Sequence, residues 1–362
     1  MQNTEQALLN SLNSFQDPYL KQSLLASKSI KSFEFHEGKA QIQLVLSYPC
    51  QGAIADITNQ LTLHLEKISG VNEVQIQIGM EIPSFQTQQQ GSIAGVKNII
   101  AIASGKGGVG KSTTAVNLAL ALDQEGAKVG LLDADIYGPS QPMMLGEEST
   151  QPESEDGKHI EPIKKYGIQI MSIGFLVKPD QAVVWRGPMA SGALQQMIND
   201  TRWRDLDYLI VDLPPGTGDI QLTLAQKVPV TGALIVTTPQ DVALLDARKG
   251  IAMFEKVSIP VLGVVENMSM HICSQCGHEE AIFGTGGGEK LAKETGVSLV
   301  GQLPLDIKIR QQTDNGFPSV VQEPEGAIAQ SYRELARKVG AQLNLLGAAK
   351  RHEAIKISMS DD

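Results

Sequence analysis

The spacing of apolar residues changes along the chain, and the change predicts two domains. Residues 54–68 carry apolar side chains at helical spacing, whereas residues 42–46 and 74–78 alternate between apolar and polar as strands do. Together with a helical segment near the start of the chain, these segments follow the order α-β-β-α-β. We therefore predict a small α+β domain over residues 1–84.

Beyond residue 95 the pattern changes to short, nearly continuous apolar runs that are separated by helical segments. These runs lie near residues 97–103, 127–133, 168–173, 207–212, 232–238, 261–266 and 298–303. Such runs are typical of strands that are buried on both faces of a sheet. We expect an α/β domain over residues 96–347, with a mainly parallel sheet and helices on both faces. A polar linker is expected at 85–95 and a polar C-terminal tail at 348–362.

The segment after the first apolar run fits the phosphate-loop pattern G-x-x-x-x-G-K-[ST]. Its residues are Gly105, Lys106, Gly107, Gly108, Val109, Gly110, Lys111 and Ser112. Glycines let successive backbone amides point at phosphate oxygens, and the following helix adds its positive N-terminal end. We expect Lys111 to reach the β- and γ-phosphates, Ser112 to bind Mg²⁺ and Thr113 to approach the α-phosphate. The loop therefore predicts a nucleoside triphosphate site.

A second lysine, Lys106, lies inside the loop, five positions before Lys111. Two lysines so placed do not easily serve one phosphate from the same side. We interpret Lys106 as a residue that reaches the γ-phosphate held by a facing subunit, as arginine fingers do. The alternative is a solvated surface lysine.

Aspartates follow two of the apolar runs, which places them at the ligand-binding edge of a parallel sheet. Asp212 is the candidate for holding Mg²⁺ through its water shell, and Asp135 for orienting the attacking water. Asp133 is expected to support the metal or the loop, and the amide of Gly216 to approach the γ-phosphate. For Asp212 and Asp135 the alternative is simple helix capping.

The chain has three cysteines, too few for a disulfide framework. Cys273 and Cys276 have C-x-x-C spacing, which lets two thiolates converge on one metal centre. Because a four-iron cluster takes four thiolates, two chains around a two-fold axis would complete the set. This count and the trans role of Lys106 both require a homodimer. A zinc site that recruits His271 and His278, or a redox pair, is the alternative.

Several segments carry a resemblance to a known family. The phosphate loop, the Leu-Leu-Asp-Ala-Asp-Ile-Tyr-Gly-Pro-Ser segment ending at Ser140 and the Val-Asp-Leu-Pro-Pro-Gly-Thr-Gly-Asp segment ending at Asp219 are similar to deviant Walker A ATPases. Trp-Arg-Gly-Pro-Met at 185–189, Glu-Asn-Met at 266–268 and the cysteine pair narrow the resemblance to Mrp/ApbC-type iron–sulfur cluster carrier ATPases. The N-terminal part, with Asp-Pro-Tyr-Leu at 17–20, resembles the small domain of iron–sulfur assembly proteins.

The resemblance implies an ATP-hydrolysing homodimer that holds a [4Fe–4S] cluster between its subunits. It implies that an upstream donor loads the cluster and that recipient apoproteins receive it. It also implies ATP contacts throughout the loop, a signature lysine at Lys106, a hydrolytic aspartate at Asp135 and adenine recognition by Asn267. Cys273 and Cys276 are implied as the cluster ligands.

Charge and hydropathy restrict the partners. The 30 basic and 40 acidic residues give a net charge of −10 without a basic block, which disfavours nucleic acid and anionic membranes as partners. With no apolar run of membrane-spanning length and no secretion signal at the N-terminus, we expect a cytoplasmic protein. Two alternatives share the same loops: a partition or positioning ATPase that acts on a membrane or DNA, and a zinc-stabilised NTPase without a cluster.

Overall fold

The computed structural model describes residues 2–86, 91–176, 187–273 and 275–357. These residues form two compact units. The small unit comprises Met1–Pro83, Gln124–Gly126 and Gly340–Asp362, and the large unit comprises Ser84–Asp123 and Ala127–Val339. Trp185 and Arg186, which contribute to the family resemblance, lie outside the described residues, as does the end of the expected C-terminal tail.

The small unit has the α-β-β-α-β order predicted from the apolar spacing. Its elements are α1 (Gln2–Ser14), β1 (Ile30–His36), β2 (Lys39–Leu46), α2 (Ile54–Leu65) and β3 (Glu73–Met80). The sheet order is β1-β2-β3, with β1 and β2 antiparallel and β2 and β3 parallel. Every second residue of β2, from Ala40 to Leu46, is buried, which explains its alternating pattern.

A buried carboxylate organises the turn after α1. Asp17 is fully buried and accepts hydrogen bonds from the amides of Tyr19 (2.8 Å) and Leu20 (2.7 Å) and from the Tyr48 hydroxyl (2.7 Å). Burial and the charge of Asp17 raise the pKa of Tyr48 above its usual value. These hydrogen bonds give Asp17 of the Asp-Pro-Tyr-Leu motif a structural explanation. Cys50, two residues after Tyr48, is also fully buried.

The large unit is built on an eight-stranded sheet of order β13-β10-β9-β4-β8-β5-β7-β6. Its strands are β4 (Val96–Ala103), β5 (Val129–Asp133), β6 (Ile163–Lys165), β7 (Ile168–Ser172), β8 (Leu206–Asp212), β9 (Gly232–Thr237), β10 (Val261–Glu266) and β13 (Leu299–Gln302). All neighbours are parallel except β6 and β7. Every residue of β8 and β9 is buried, so neither face at the centre of the sheet meets solvent.

Helices cover both faces of this sheet, as expected. The helices in this part of the chain are α3 (Lys111–Gln124), α4 (Gln141–Met144), α5 (Gly187–Asp200), α6 (Asp219–Lys227), α7 (Asp241–Lys256), α8 (Gly287–Thr295), α9 (Ile307–Asp314), α10 (Ser319–Gln322) and α11 (Ala327–Ile357), and the residues of α11 from Gly340 onward belong to the small unit. Helix α11 continues across residue 347, where the sequence suggested that a polar tail begins. A two-stranded hairpin of β11 (His271–Ile272) and β12 (Glu279–Glu280) follows β10. Within the described ranges, no helix is both long and apolar enough to cross a membrane.

Candidate functional site

The phosphate loop lies between the end of β4 at Ala103 and the start of α3 at Lys111. Gly108 and Gly110 have positive φ angles of 82° and 84°, a conformation that disfavours other residues. A Cβ atom on Gly105 would lie 2.3 Å from the backbone carbon of Asp246, so this glycine lets the loop pack against α7. A Cβ on Gly108 would meet no atom within 4 Å, which leaves the middle of the loop open.

Lys111 and Asp212 form a buried ion pair beneath the loop. The Nζ of Lys111 lies 2.5 Å from Oδ1 of Asp212, and the two side chains are 6% and 0% exposed. Nζ also donates to the hydroxyl of Ser112 at 3.2 Å. The hydroxyl and the carboxylate are oxygen ligands, the type that Mg²⁺ prefers. These two residues therefore fit a magnesium ion at the expected place, although the metal role of Ser112 and Asp212 stays a prediction.

Strand register explains why the aspartates of β5 and β8 meet. Asp133 lies opposite Asp212 in the parallel pairing of the two strands. Oδ2 of Asp133 accepts hydrogen bonds from the amides of Ser140 (3.0 Å) and Gln141 (3.1 Å) and from the Ser172 hydroxyl (3.1 Å). Burial and the charge of Asp212 raise the pKa of Asp133 to about 7. Asp133 thus anchors the loop after β5.

Asp135 and Gly216 lie in the two loops that follow these strands. The amide of Asp135 donates to Oδ1 of Asp133 at 3.2 Å, and its own carboxyl is half-buried. Burial raises the pKa of Asp135, and the charge of Lys111 opposes this effect. The amide of Gly216 donates to the carbonyl of Ser104 at 2.9 Å, so it is already engaged at the base of the phosphate loop. The roles given to both residues stay predictions.

Lys106 lies between Gly105 and Gly107 in the same loop and is half-buried. The hydroxyl of Ser104 donates to its backbone carbonyl at 2.9 Å, which fixes the chain on the N-terminal side of the loop. The position is compatible with a contact to a group outside this chain. Its trans role stays a prediction.

Asn267 lies against the loop. Its Nδ2 donates to the carbonyl of Val109 at 2.9 Å, and its amide donates to Thr237 at the end of β9 at 2.8 Å. A Cβ on Gly110 would lie 2.1 Å from Nδ2, so only glycine permits this approach. The structure brings Asn267 to the loop, while its recognition of adenine stays a prediction.

A cavity of about 290 Å³ adjoins Asn267. Thr113, Pro304, Leu305 and Tyr332 contribute to its walls. Asp306, Arg310 and Asp314 add charged groups at the same cavity, and a combination of apolar and polar walls is typical of sites that bind small molecules. The cavity therefore fits the base of a nucleotide whose phosphates occupy the loop.

Gln141 belongs to the site but was not predicted from the sequence. Its side chain is fully buried, and Nε2 donates to Oδ2 of Asp212 at 2.9 Å and to the carbonyl of Ser112 at 3.2 Å. Glutamine in a polar loop gives no periodic signal. The one local indication is Pro142 in the first turn of α4, because proline favours helix starts and so places Gln141 at the beginning of a helix.

The cysteines lie in the turn of the β11–β12 hairpin. The amide of Cys273 donates to the carbonyl of His278, and the amide of Gly277 donates to the carbonyl of Cys273, both at 2.9 Å. Both cysteines are free thiols; Cys273 is partly exposed and Cys276 is exposed. Hydrogen bonds from the backbone amides of Gln275 and Cys276 lower the pKa of Cys273. The turn therefore presents two sulfur donors to solvent.

The zinc alternative requires His271 and His278 to join the two cysteines. Nδ1 of His271 instead lies 3.0 Å from the carbonyl of Leu305. In the part of the chain that the structure describes, no three His, Cys, Asp or Glu side chains are placed to hold a metal ion together. The role of Cys273 and Cys276 as cluster ligands stays a prediction.

Comparison with known proteins then decides the family. A model of the ParA type, described as NUBPL iron-transfer P-loop NTPase, matches residues 95–340. The chain belongs to this family. A second model, described as iron–sulfur cluster assembly protein, matches residues 5–78 of this iron-transfer P-loop NTPase. The family resemblance drawn from the sequence is confirmed.

Individual relatives agree with this membership. The iron–sulfur cluster carrier protein of Escherichia coli K12 is 55% identical over 333 residues, which cover 92% of this chain and 90% of the relative. A solved nucleotide-binding protein from Archaeoglobus fulgidus in complex with ADP is 37% identical, with a TM-score of 0.57, over 66% of this chain and 92% of that one. The cell division ATPase MinD of Pyrococcus furiosus is 25% identical, with a TM-score of 0.50, over 67% and 98%. The P-loop NTPase fold is confirmed.

Proposed function

We propose that this protein binds and hydrolyses ATP and carries an iron–sulfur cluster, held between two copies of the chain, to recipient apoproteins. One observation carries the proposal: a phosphate-loop site and a hairpin with two free cysteines lie in the same compact unit of an iron-transfer NTPase. The relative from E. coli is named an iron–sulfur cluster carrier, which supports the same cargo here.

The nucleotide is proposed to bind with its phosphates in the loop and its base in the cavity beside Asn267. Lys111 would exchange its contact with Asp212 for the β- and γ-phosphates, while the Ser112 hydroxyl would bind Mg²⁺ directly and Asp212 would hold the ion through its water shell. Bound Mg²⁺ neutralises charge on the phosphate oxygens. Lys111 and the N-terminus of α3 contribute positive potential at the same place.

Hydrolysis is proposed to use Asp135 to orient the attacking water. Burial raises the pKa of this carboxyl, which makes its carboxylate a better proton acceptor. Lys106 of a facing copy would stabilise charge on the transferring phosphoryl group, an effect worth roughly 10³–10⁵ in rate for comparable trans residues. The Gly216 amide would exchange its bond with Ser104 for the γ-phosphate and so respond to hydrolysis.

The cluster is the cargo, and its proposed ligands are Cys273 and Cys276 of two copies. Two thiols per chain give four in a dimer, the number that a [4Fe–4S] cluster takes. The lowered pKa of Cys273 favours the thiolate, which is the form that binds iron. Exposure of both sulfur atoms suits a cluster that must be received from a donor and released to an apoprotein.

Hydrogen bonds offer a route from the nucleotide cavity to the hairpin. Leu305, which lines the cavity, donates its amide to the carbonyl of Met270 at 2.8 Å and lies 3.0 Å from Nδ1 of His271. The amide of Ser269 donates to the carbonyl of Leu303 at 2.9 Å. We propose that nucleotide occupancy changes the hairpin through this segment and thereby controls cluster release.

Anaerobic reconstitution with iron and sulfide tests the cargo assignment. Cys273→Ala and Cys276→Ala should each lose the bound iron, the sulfide and the visible absorption, while ATP binding stays within about twofold of the wild type. Cys50→Ala is the matched control, because it removes the remaining, buried cysteine and should load normally. Normal loading of Cys273→Ala would refute the ligand assignment, and bound zinc without iron would favour the zinc-stabilised NTPase.

The second candidate is a positioning ATPase, favoured only by the likeness to MinD. The net charge of −10 disfavours binding to anionic membranes or DNA. Co-sedimentation with anionic lipid vesicles and with DNA separates the two functions. Strong ATP-dependent binding to either would favour the positioning ATPase over the carrier.

A further inference from the structure

Gln141 occupies a central position beneath the phosphate loop. Its amide nitrogen Nε2 donates to Oδ2 of Asp212 at 2.9 Å, whereas Lys111 holds the other oxygen of the same carboxylate. Nε2 also reaches the carbonyl of Ser112 at 3.2 Å. The side chain thus contacts both residues proposed to hold Mg²⁺: the backbone of Ser112, whose hydroxyl would bind the ion, and the carboxylate of Asp212, which would act through the water shell.

The backbone of Gln141 is fixed by a separate interaction. Its amide donates to Oδ2 of Asp133 at 3.1 Å, so the residue is anchored at the end of β5 while its side chain reaches the end of β8. The segment between Asp133 and Gln141 includes Asp135. Gln141 therefore connects the loop of the proposed hydrolytic aspartate to Asp212.

Packing alone does not explain why residue 141 has a side-chain amide. The side chain is fully buried, yet within the described residues its Oε1 has no hydrogen-bond partner. A buried polar atom without a partner is unfavourable, and an apolar side chain of similar size would avoid this cost. What the amide provides at this position is the hydrogen bond from Nε2 to Asp212.

We propose that Gln141 is the positioning residue of Asp212 and that it sets how strongly Mg²⁺ strengthens nucleotide binding. When Lys111 turns to the phosphates, Gln141 keeps a donor on Oδ2, which holds the carboxylate in one orientation toward Ser112. Hydrogen-bonding partners in the outer shell of a metal site typically change metal affinity by about 10–100-fold when they are replaced. This inference rests on the proposed nucleotide site.

The test measures ATP affinity calorimetrically with excess Mg²⁺ and again with EDTA, for the full chain. In Gln141→Leu the strengthening by Mg²⁺ should fall at least about tenfold, while the affinity without metal stays within about twofold. Gln169→Leu is the matched control: this glutamine also makes two hydrogen bonds, to the backbone of Arg204, but at the outer part of the sheet. Gln169→Leu should keep the wild-type ratio of the ATP affinity with Mg²⁺ to the ATP affinity with EDTA.

Three outcomes overturn the proposal: an unchanged ratio in Gln141→Leu, an equal loss of both affinities, or the same selective loss in Gln169→Leu. If thermal melting shows that Gln141→Leu does not fold, Gln141→Asn decides, because it keeps an amide but withdraws it by one methylene. It should show the same selective loss. Asp212→Asn tests the underlying site separately. If Mg²⁺ strengthens ATP binding to Asp212→Asn as much as to the wild type, Asp212 has no metal role, and this conclusion does not depend on the Gln141 variants.

Discussion

The nucleotide site and the cysteine hairpin lie in the same unit but are built in opposite ways. Beneath the loop, Lys111 and Asp212 are almost fully buried and bonded to each other. At the hairpin, two strands of two residues each hold a turn whose Cys276 is exposed. The first site is set by the sheet, because parallel register brings the ends of β5 and β8 together. The second depends on a few backbone hydrogen bonds.

This difference predicts which substitutions impair function without lowering the stability of the fold. In the buried site, the removal of one partner leaves a charge without compensation, so stability and activity fall together. In the exposed hairpin, the removal of a thiol costs little stability and abolishes only what that thiol binds. The phosphate loop and its buried ion pair come from one chain, whereas in the proposed carrier the hairpin would supply two of the four thiolates that a cluster needs.

The largest effect is expected for Lys111→Ala, which acts on the buried pair. Asp212 would lose its cation, so the free energy of unfolding should fall by about 3–5 kcal/mol, measured by urea denaturation. ATP turnover should be lost because the β- and γ-phosphates lose their lysine. Cluster loading should remain, since the hairpin is intact, but ATP-dependent transfer should fail. Undiminished ATPase activity would contradict the assignment of the loop.

Lys106→Ala should separate activity from stability at the same loop. Because Lys106 is half-buried and lies in a loop, the free energy of unfolding should change by no more than about 1 kcal/mol. Turnover should fall by roughly 10³ or more if the lysine acts in trans. Mixing Lys106→Ala with Lys111→Ala should then restore part of the activity, because one site of a mixed dimer has both lysines. A mixture as inactive as its components would refute the trans role.

The sequence predicted the longer, buried strands of the large sheet better than its short edge strand β6 and the β11–β12 hairpin. Each of the seven apolar runs forms a strand, because burial on both faces leaves a continuous apolar signal. Strand β6 was missed, since Ile163–Lys165 is short, polar and at the edge of the sheet. The β11–β12 hairpin was missed for the same reason, although its cysteines were singled out by their spacing.

The phosphate loop and the aspartates were singled out from the sequence because each follows a recognisable strand. Gln141 was not, because its contact with Asp212 depends on how the loop after Asp133 folds back across the end of β8. The link between Leu305 and His271 was missed as well, since it joins residues far apart in the chain. Sequence patterns describe single elements, whereas these contacts arise from the way neighbouring loops pack.

His271→Leu should weaken the proposed link between the nucleotide cavity and the hairpin. The loss of the contact between Nδ1 and the carbonyl of Leu305 should slow ATP-dependent cluster transfer to an apoprotein by roughly fivefold, about the effect of one hydrogen bond. ATPase activity and cluster loading should stay within about twofold. His278→Leu is the matched control, because its contact with Cys273 uses the backbone carbonyl, which the variant keeps. Equal slowing in both variants would contradict the route through Leu305.

The smallest effect is expected from Gly277→Ala, which perturbs only the turn of the hairpin. Gly277 and Gly296 both have a φ of 70°, and a Cβ on either would meet no atom within 4 Å. Alanine at either position should therefore cost about 1–2 kcal/mol of backbone strain.

Alanine keeps the backbone amide, but strain at Gly277 would shift the amide that donates to the carbonyl of Cys273, so only Gly277→Ala should shorten the lifetime of a loaded cluster, by a few-fold, against an iron chelator. Gly296→Ala is the matched control, because Gly296 lies at the end of α8 and its replacement adds the same backbone strain away from the hairpin. If both variants lose the cluster equally fast, general destabilisation rather than the geometry of the turn controls retention. Unchanged lifetimes in both would mean that the two thiolates hold the cluster without help from the hairpin backbone.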